Sequence, residues 1–155
     1  TNQNIKKPYN WNIINIRNDQ FLNIELARLI KINPHLFFNN FEESIYIDAS
    51  IVFKKKIDKF YFDHLKDQKL VFFKHPLRKC LYKEIEACII LKKENKSSLI
   101  NQKKHYKSKS YPKNNGLIAT GLIFRKHNVA EIINLMKLWS EQILTFSYRD
   151  QNLLS

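Results

Sequence analysis

Short apolar runs typical of β-strands alternate along this chain with longer amphipathic segments typical of α-helices. The strand-like runs lie at residues 11–16, 44–48, 69–73 and 116–127. Alternation of this kind favours an α/β layer fold. A chain of 155 residues is also long enough for one domain with its own core. We therefore predict a single domain over residues 1–155, without internal repeats.

Apolar residues at helical spacing predict four helices. The first ends at Pro34, the second covers residues 57–66, the third begins at Pro76 and the fourth covers residues 129–146. Residues 93–116 turn instead to Lys, Ser and Asn and close on the turn-forming sequence YPKNNG. We predict that this segment is a mobile loop, because loops of this length inside compact domains are usually functional or disordered.

The charge of the chain is strongly positive. A net charge of +13 is compatible with a polyanionic partner such as nucleic acid, an anionic membrane surface or a phosphorylated small molecule. Lysine supplies 22 of the 27 basic residues and accompanies abundant Asn and Ile, so a general compositional bias is an equally good origin of the charge. Arginine is rare by comparison, and its planar fork suits carboxylate or phosphate better than lysine does. The five arginines are Arg17, Arg28, Arg78, Arg125 and Arg149.

The sequence lacks the apolar segments that are typical of membrane insertion or secretion. No run of 18 or more apolar residues is present, and the polar start lacks the apolar core of a signal peptide. We expect a cytoplasmic protein without a transmembrane segment, with peripheral membrane contact left open.

Cys80 and Cys88 lie on one predicted helix, about 12 Å apart along its axis, too far for a disulfide. No Cys or His pair has the spacing of a zinc site.

The first candidate site residue is Asp48, which directly follows the apolar run SIYI. In open α/β sheets, ligands bind beyond the carboxyl ends of the strands. A carboxylate at this position could hold a divalent cation or a sugar hydroxyl. A turn-forming role is the simpler alternative, and the sequence alone leaves both open.

Basic residues near the end of the first predicted helix form a second candidate group. Arg28 and Lys31 are three residues apart, so both could point to the same side, and His35 lies just beyond Pro34. Together they could grip a diphosphate. A solvated helix face is the alternative explanation.

The sequence HPLRKCLYKE contributes a third group, made of His75, Arg78, Tyr82 and Glu84. His75 precedes a proline at a strand-to-helix junction, which is another position beyond a strand end. Arg78 and Tyr82 are predicted to share one face of the following helix. For His75 a structural role and a ligand-binding role are equally supported.

Two further candidates lie towards the end of the chain. Gly121, inside the strand-like run, predicts close approach by a ligand or another backbone, or else a bulge. Arg125 and His127 end the same run. The sequence RDQ at residues 149–151 combines a cation, an anion and an amide at a predicted helix start, where Asp150 could simply be the N-cap.

These motifs occur in a characteristic order: RLIKINPH, SIYIDASI, HPLRKCLYKE, GLIATGLIFRKH, and then a Trp followed by RDQ. In that order they resemble the TOD/MUCI-type glycosyltransferase-like family, from about residue 11 to the end. The resemblance implies an α/β, GT-A-like (Rossmann-like) fold with a mixed sheet flanked by helices. It starts after the strand and loop that hold the donor base, so we expect the domain to be N-terminally incomplete and to lack its first βα unit.

The resemblance also assigns chemistry. It places Asp48 at the first Asp of an Asp-x-Asp motif that holds Mn²⁺ or Mg²⁺ against the diphosphate of the donor. Ser50 occupies the second Asp position, which removes one carboxylate and puts metal binding in question. By the same likeness, Asp150 lies where sugar transferases place an acidic residue near the acceptor, and Glu84 is the other candidate for the proton acceptor.

The implied function is transfer of a sugar from a nucleoside diphosphate sugar to a glycan acceptor, in surface polysaccharide biosynthesis. Arg28, Lys31 and Arg125 would stabilise the leaving diphosphate. The other candidate residues for donor or substrate binding are His35, Ser50, His75, Arg78, Tyr82, Gly121, His127, Arg149 and Gln151.

Two other functions compete with this one. A non-catalytic relative kept for binding or scaffolding is compatible with Ser50 and with the expected missing start. A basic nucleic-acid-binding module is compatible with the charge. It is disfavoured because the aromatic residues sit at core positions and no nucleic-acid recognition motif appears.

Overall fold

The computed structural model of the protein describes residues 12–16 and 23–146. The described residues form five α-helices, one short 3-10 helix and three β-strands. The helices are α1 (Asn23–Ile32), α2 (Ile57–His64), α3 (Leu81–Ile90), α4 (Lys96–Ser108) and α5 (Ala130–Thr145), and Pro34–Leu36 forms the 3-10 turn. The strands are β1 (Ser44–Ile47), β2 (Leu70–Lys74) and β3 (Ile118–Arg125).

The three strands form one sheet in the order β1-β3-β2. Both outer strands run antiparallel to β3, so β1 and β2 run parallel to each other and end at the same edge of the sheet. Just beyond β1, the amide of Asp48 donates to the carbonyl of Gly121 at 2.8 Å. Just beyond β2, the amide of His75 donates to the carbonyl of Leu117 at 2.8 Å. Asp48 and His75 therefore border the same part of the central strand.

A bulge interrupts the pairing of β2 with β3. The register passes from Phe72 opposite Ile123 to Phe73 opposite Ala119. Residues 120–122 of β3 are consequently skipped by β2, although β1 still pairs with Leu122. The bulge that the sequence offered as one explanation of Gly121 is therefore present.

One face of the sheet packs against α1 and α5. In α5 the apolar residues recur at steps of four, three and four, which places Ile132, Met136, Trp139 and Ile143 on one stripe of the helix. All four are buried against Ile123 of the central strand. Helix α5 forms because this stripe can be covered, as its sequence predicted.

A second, smaller core joins α3 to α4. Its buried residues are Leu81, Ile85, Cys88 and Leu99. Asn95 caps α4, since its side chain accepts from the amides of Ser97 and Ser98. The prediction of a loop over residues 93–116 is therefore wrong across α4. Its sequence is too polar to show a helical stripe, and packing against α3 supplies what the sequence pattern lacks.

Other predictions about the fold can now be compared with the structure. The α/β class is confirmed, as are helices near α1, α2 and α5 and strands at β1, β2 and β3. The strand predicted at residues 11–16 is wrong over residues 12–16, which have no regular structure. The sheet of the described residues contains only antiparallel pairs, whereas a mixed sheet was expected.

The start of α3 is a further correction. The helix begins at Leu81 and not at Pro76, and residues 76–80 have no regular structure. Arg78 therefore precedes the helix, and the prediction that it shares a helical face with Tyr82 is wrong. Cys80 and Cys88 are buried free thiols, as expected. None of the described helices is long and apolar enough to cross a membrane.

Candidate functional site

Asp48 lies at the carboxyl end of β1 and keeps 40% of its side chain exposed. Its Oδ1 accepts a hydrogen bond from the hydroxyl of Tyr46 at 2.6 Å. Its carbonyl accepts from the amide of Ile51 at 2.9 Å, which closes a turn containing the exposed Ser50. The turn uses the backbone of Asp48, so its carboxylate remains partly open to a ligand.

Gly121 faces this carboxylate from the central strand. A Cβ atom at position 121 would lie 3.0 Å from Oδ2 of Asp48 and 3.2 Å from Cδ1 of Ile51. The close approach predicted for Gly121 therefore exists, but the approaching group is the side chain of Asp48. A larger residue at position 121 would displace the carboxylate.

Lys31 lies beneath Asp48 and is only 1% exposed. Its Nζ is 3.8 Å from Oδ1 of Asp48 and 3.4 Å from the hydroxyl oxygen of Thr120. The ammonium also sits 4.6 Å from the centre of the Tyr46 ring, which adds a cation–π contact. A buried cation thus backs a partly exposed carboxylate. In this position Lys31 orients Asp48, and its ammonium does not reach the surface.

Tyr46 and Thr120 were not among the residues predicted from sequence. Tyr46 has a signal that could have found it, because residues two apart on a strand share one face of the sheet and Tyr46 precedes Asp48 by two. Thr120 has no such signal. It reaches Lys31 from the bulged part of β3, and a bulge is not visible in the sequence pattern.

The described residues do not fit a bound divalent metal well. No group of three or more His, Cys, Asp or Glu side chains in this part of the chain is arranged to hold a metal ion. Asp48 is a single carboxylate, and the ammonium of Lys31 already lies 3.8 Å from it. A second cation at the same oxygen would be repelled by this charge.

A second polar cluster follows β2. The Nδ1 atom of His75 accepts hydrogen bonds from the amides of Leu77 and Arg78, at 3.2 and 3.0 Å. Because Nδ1 accepts, the proton of the neutral imidazole is on Nε2, which lies 3.7 Å from Oε2 of Glu84. His75 therefore shapes the turn before α3, and its side chain is only 7% exposed.

Glu84 is buried at the centre of this cluster. Its carboxylate is 2% exposed and pairs with Nε of Arg78. Its other oxygen accepts from the thiol of Cys88 at 3.4 Å. A carboxylate enclosed in this way is not open to an acceptor hydroxyl. Arg78, in contrast, keeps 25% of its side chain exposed and is held in place by Glu84.

Tyr82 also has a structural contact. It is buried, and its hydroxyl donates to the carbonyl of Tyr111 at 2.7 Å. This bond ties α3 to the segment that follows α4. This hydrogen bond gives Tyr82 a structural role that involves no ligand.

Arg125 is buried at the end of the sheet opposite to Asp48. Its guanidinium donates to the backbone carbonyls of Lys31 and Ile32 and to the hydroxyl of Ser44. A cation at the last carbonyls of a helix satisfies them and complements the helix dipole. Burial lowers the pKa of Arg125 to about 10. Arg125 therefore fixes the end of α1, and with it Lys31, whereas direct contact with a diphosphate was expected.

Three other predicted residues lie in different surroundings. His127 is fully buried, and its Nε2 contacts the carbonyl of Phe38 at 3.1 Å. Burial lowers the pKa of His35, and so do the charges of Lys137, His127 and Arg125. Arg28 lines a cavity of about 60 Å³ between α1 and α5, so it does not share the surroundings of Lys31.

The candidates Arg149, Asp150 and Gln151 lie outside the described residues. Their predicted roles are therefore not tested by the geometry above. Within the described residues, the candidate site consists of Asp48, which Lys31 orients, and of Arg78, which Glu84 holds in place.

The fold and this site define an α/β domain in which a partly exposed carboxylate, backed by a buried cation, lies just beyond the end of a strand. A family model of the TOD1/MUCI70 glycosyltransferase-like domain matches residues 2–155. The chain belongs to this family, and the resemblance seen in its motifs is confirmed. Neither the curated proteins nor the solved structures contain a significant match to the chain.

Proposed function

We propose that the protein is a glycosyltransferase that moves a sugar from a nucleoside diphosphate sugar to a glycan acceptor, in surface polysaccharide biosynthesis. Membership of a glycosyltransferase-like family supports the general role. The observation that supports the particular site is the carboxylate of Asp48, which is partly exposed at a strand end and oriented from several sides.

In this proposal Asp48 binds a hydroxyl of the donor sugar. A carboxylate is an acceptor only, and hydrogen bonds to a charged acceptor are stronger than neutral ones. Tyr46 and Lys31 restrain the carboxylate before a ligand arrives, which lowers the entropy that binding must remove. Gly121 leaves the space that the carboxylate occupies.

Arg78 is our candidate for the diphosphate. Its planar guanidinium suits phosphate oxygens, and Glu84 holds it through Nε while part of the side chain stays exposed. Arg78 follows β2 at the sheet edge where Asp48 follows β1. The two backbone contacts on β3, at Leu117 and Gly121, are separated by at most about 14 Å along the strand.

Two elements of the proposal rest on the family resemblance. Asp150 is our candidate for the group that takes the proton of the acceptor, because Glu84 is enclosed by Arg78 and Cys88. Mn²⁺ or Mg²⁺ would neutralise the departing diphosphate if bound, but Asp48 is a poor fit for such an ion. We therefore assign no step to a metal and propose that cationic side chains carry this charge.

The experiment is calorimetric titration with a panel of nucleoside diphosphate sugars, with and without Mn²⁺. We expect one of them to bind the wild-type protein, and Asp48→Asn to weaken binding by about tenfold or more, as expected for loss of a hydrogen bond to a charged group. Asp67→Asn makes the same change at an exposed carboxylate in the turn before β2, and this matched control should bind as the wild type does.

A second variant tests whether the position of the carboxylate matters for binding. Gly121→Ala keeps every charge but places a Cβ atom 3.0 Å from Oδ2 of Asp48, so it should also weaken binding. Wild-type turnover in Asp48→Asn would refute the role of Asp48. Failure of every nucleotide sugar to bind would favour the non-catalytic relative.

A further inference from the structure

The face of the sheet opposite to α1 and α5 carries a groove of about 530 Å³ that the proposed reaction does not use. Its apolar floor is formed by Phe53, Phe60, Phe73 and Phe124. Its basic rim is formed by Lys54, Lys55, Lys56 and Lys59. We call this surface the lysine groove, and we propose that it binds the surface of an anionic phospholipid membrane.

The groove exposes several large apolar side chains next to one another. Phe53 and Phe60 are each 41% exposed and Phe73 is 36% exposed. Val52, which directly precedes the lysines, is 82% exposed. Contiguous exposed apolar groups with a polar border mark interaction sites on soluble domains.

The charge around the groove is of one sign. Four lysines line it, and Asp63 is the one acidic residue among the lining side chains. None of the four lysines forms an ion pair with another residue in the described part of the chain. An anionic surface would therefore meet unpaired positive charge beside apolar side chains, which is the combination that interfacial membrane contacts use.

Nucleic acid fits the groove less well. Single-stranded nucleic acids bind by stacking bases on open aromatic faces. The ring of Phe60 instead packs against Phe73, Phe124 and His64, with ring centres 6.5, 6.3 and 5.0 Å apart. These rings contact one another and form a continuous apolar floor. Acyl chains and headgroups suit such a floor better than separate bases do.

The groove is also connected to the candidate site by a short segment. Residues 49–56 lead from Asp48 at the end of β1 to the lysines at the start of α2. Docking of the groove would therefore bring the end of β1 towards the membrane. This inference does not depend on the proposed sugar transfer.

The experiment measures cosedimentation of the full chain with vesicles of phosphatidylcholine alone and of phosphatidylcholine mixed with anionic phosphatidylglycerol. We expect binding to the mixed vesicles only, weakened by added salt. The variant K54Q/K55Q/K56Q should bind about 100-fold more weakly, because each lysine near an anionic surface contributes about fivefold. The variant K93Q/K96Q/K104Q removes the same charge from exposed positions on or near α4, and should lose less than about fivefold.

The apolar part of the groove has its own matched pair. V52S/F53S should reduce vesicle binding, while I90S/L91S should not. Ile90 and Leu91 are a comparable adjacent pair, 77% and 57% exposed, at the end of α3.

Three results would overturn the inference. The first is no binding to the mixed vesicles. The second is an equal loss in both lysine variants, which would attribute binding to the net charge alone. The third is binding of a single-stranded oligonucleotide, lost in K54Q/K55Q/K56Q, without vesicle binding. Each of these would leave the nucleotide-sugar titration unaffected, so failure here is distinguishable from failure of the proposed function.

Discussion

The pair formed by Lys31 and Asp48 can be tested by a double-mutant cycle on stability. The variants are Lys31→Met, which keeps the length of the side chain, Asp48→Asn, which keeps its shape, and the double variant. The coupling energy is the free energy of unfolding that the pair contributes beyond the two separate changes.

The structure sets the size of this coupling. At the separation of 3.8 Å, two unit charges attract by about 4 kcal/mol at an effective dielectric constant of about 20, and by about 1 kcal/mol in bulk water. Lys31 is 1% exposed and Asp48 is 40% exposed, so the pair lies between these limits. We expect a coupling energy of about 1–3 kcal/mol.

The two single variants should differ. Asp48→Asn takes the carboxylate charge away from a buried ammonium, and we expect it to cost about 1–3 kcal/mol, less than the loss of a fully buried pair because Asp48 is 40% exposed. Lys31→Met removes the buried charge and fills the space with an apolar chain, so it should cost less. In the double variant, the loss caused by Asp48→Asn should be largely absent.

An exposed ion pair provides the matched control. Lys69 and Glu131 are closer, at 2.7 Å, but are 56% and 71% exposed. Their cycle, with Lys69→Met and Glu131→Gln, should give a coupling energy below about 1 kcal/mol. Both cycles are measured by urea unfolding. A coupling energy for Lys31 and Asp48 no larger than that of the exposed pair would refute the view that a buried cation holds the carboxylate.

Two further predictions concern polar groups in and near the site. Glu84→Gln breaks a buried ion pair with Arg78, so it should lower the free energy of unfolding by about 3 kcal/mol or more. The control Glu86→Gln breaks the more exposed pair with Lys103 and should lower it by less than about 1 kcal/mol, and equal losses would contradict the burial of Glu84. Burial and nearby cations lower the pKa of His35 below its ordinary value of 6.5, so as the pH falls below about 6.5 the unfolded chain takes up a proton that the folded chain resists, and stability should fall. His35→Gln should flatten this decline in unfolding experiments between about pH 5 and 7.5, and parallel curves would show that His35 is not responsible.

The candidate site shows how far residue types alone predict where a side chain lies and what it contacts. The position of Asp48 could be predicted from sequence because an apolar run followed by a carboxylate is a local pattern, and the structure places Asp48 just beyond β1 with part of its side chain exposed. Arg125 was equally conspicuous as a rare arginine on a strand, yet it is 4% exposed and caps α1. The rarity of a residue indicates that its geometry matters, but not whether the partner is a ligand or the protein itself.

The three lysines at residues 54–56 are the opposite case. Their sequence context indicated the compositional bias of the chain, because lysine is frequent throughout. Only their position beside a groove floored by Phe60 and Phe73 makes them different from the other lysines. Phe73 and Phe124, which complete the floor, lie on β2 and β3 far from these lysines in the sequence, so the local pattern does not reveal the groove.

The sequence by itself determined the local elements of this protein: the strand that ends just before Asp48, the amphipathic stripe of α5 and the order of motifs that identifies the family. These features depend on neighbouring residues and on the repeat of one helix or strand. The tertiary structure decided the existence of α4, the bulge opposite β2 and the approach of Lys31 to Asp48. Each of these depends on contacts between residues far apart in the chain, and Lys31 and Thr120 are separated by 89 positions. Packing of the folded chain brings such residues together, and the pairing of distant residues leaves no periodic pattern in the sequence.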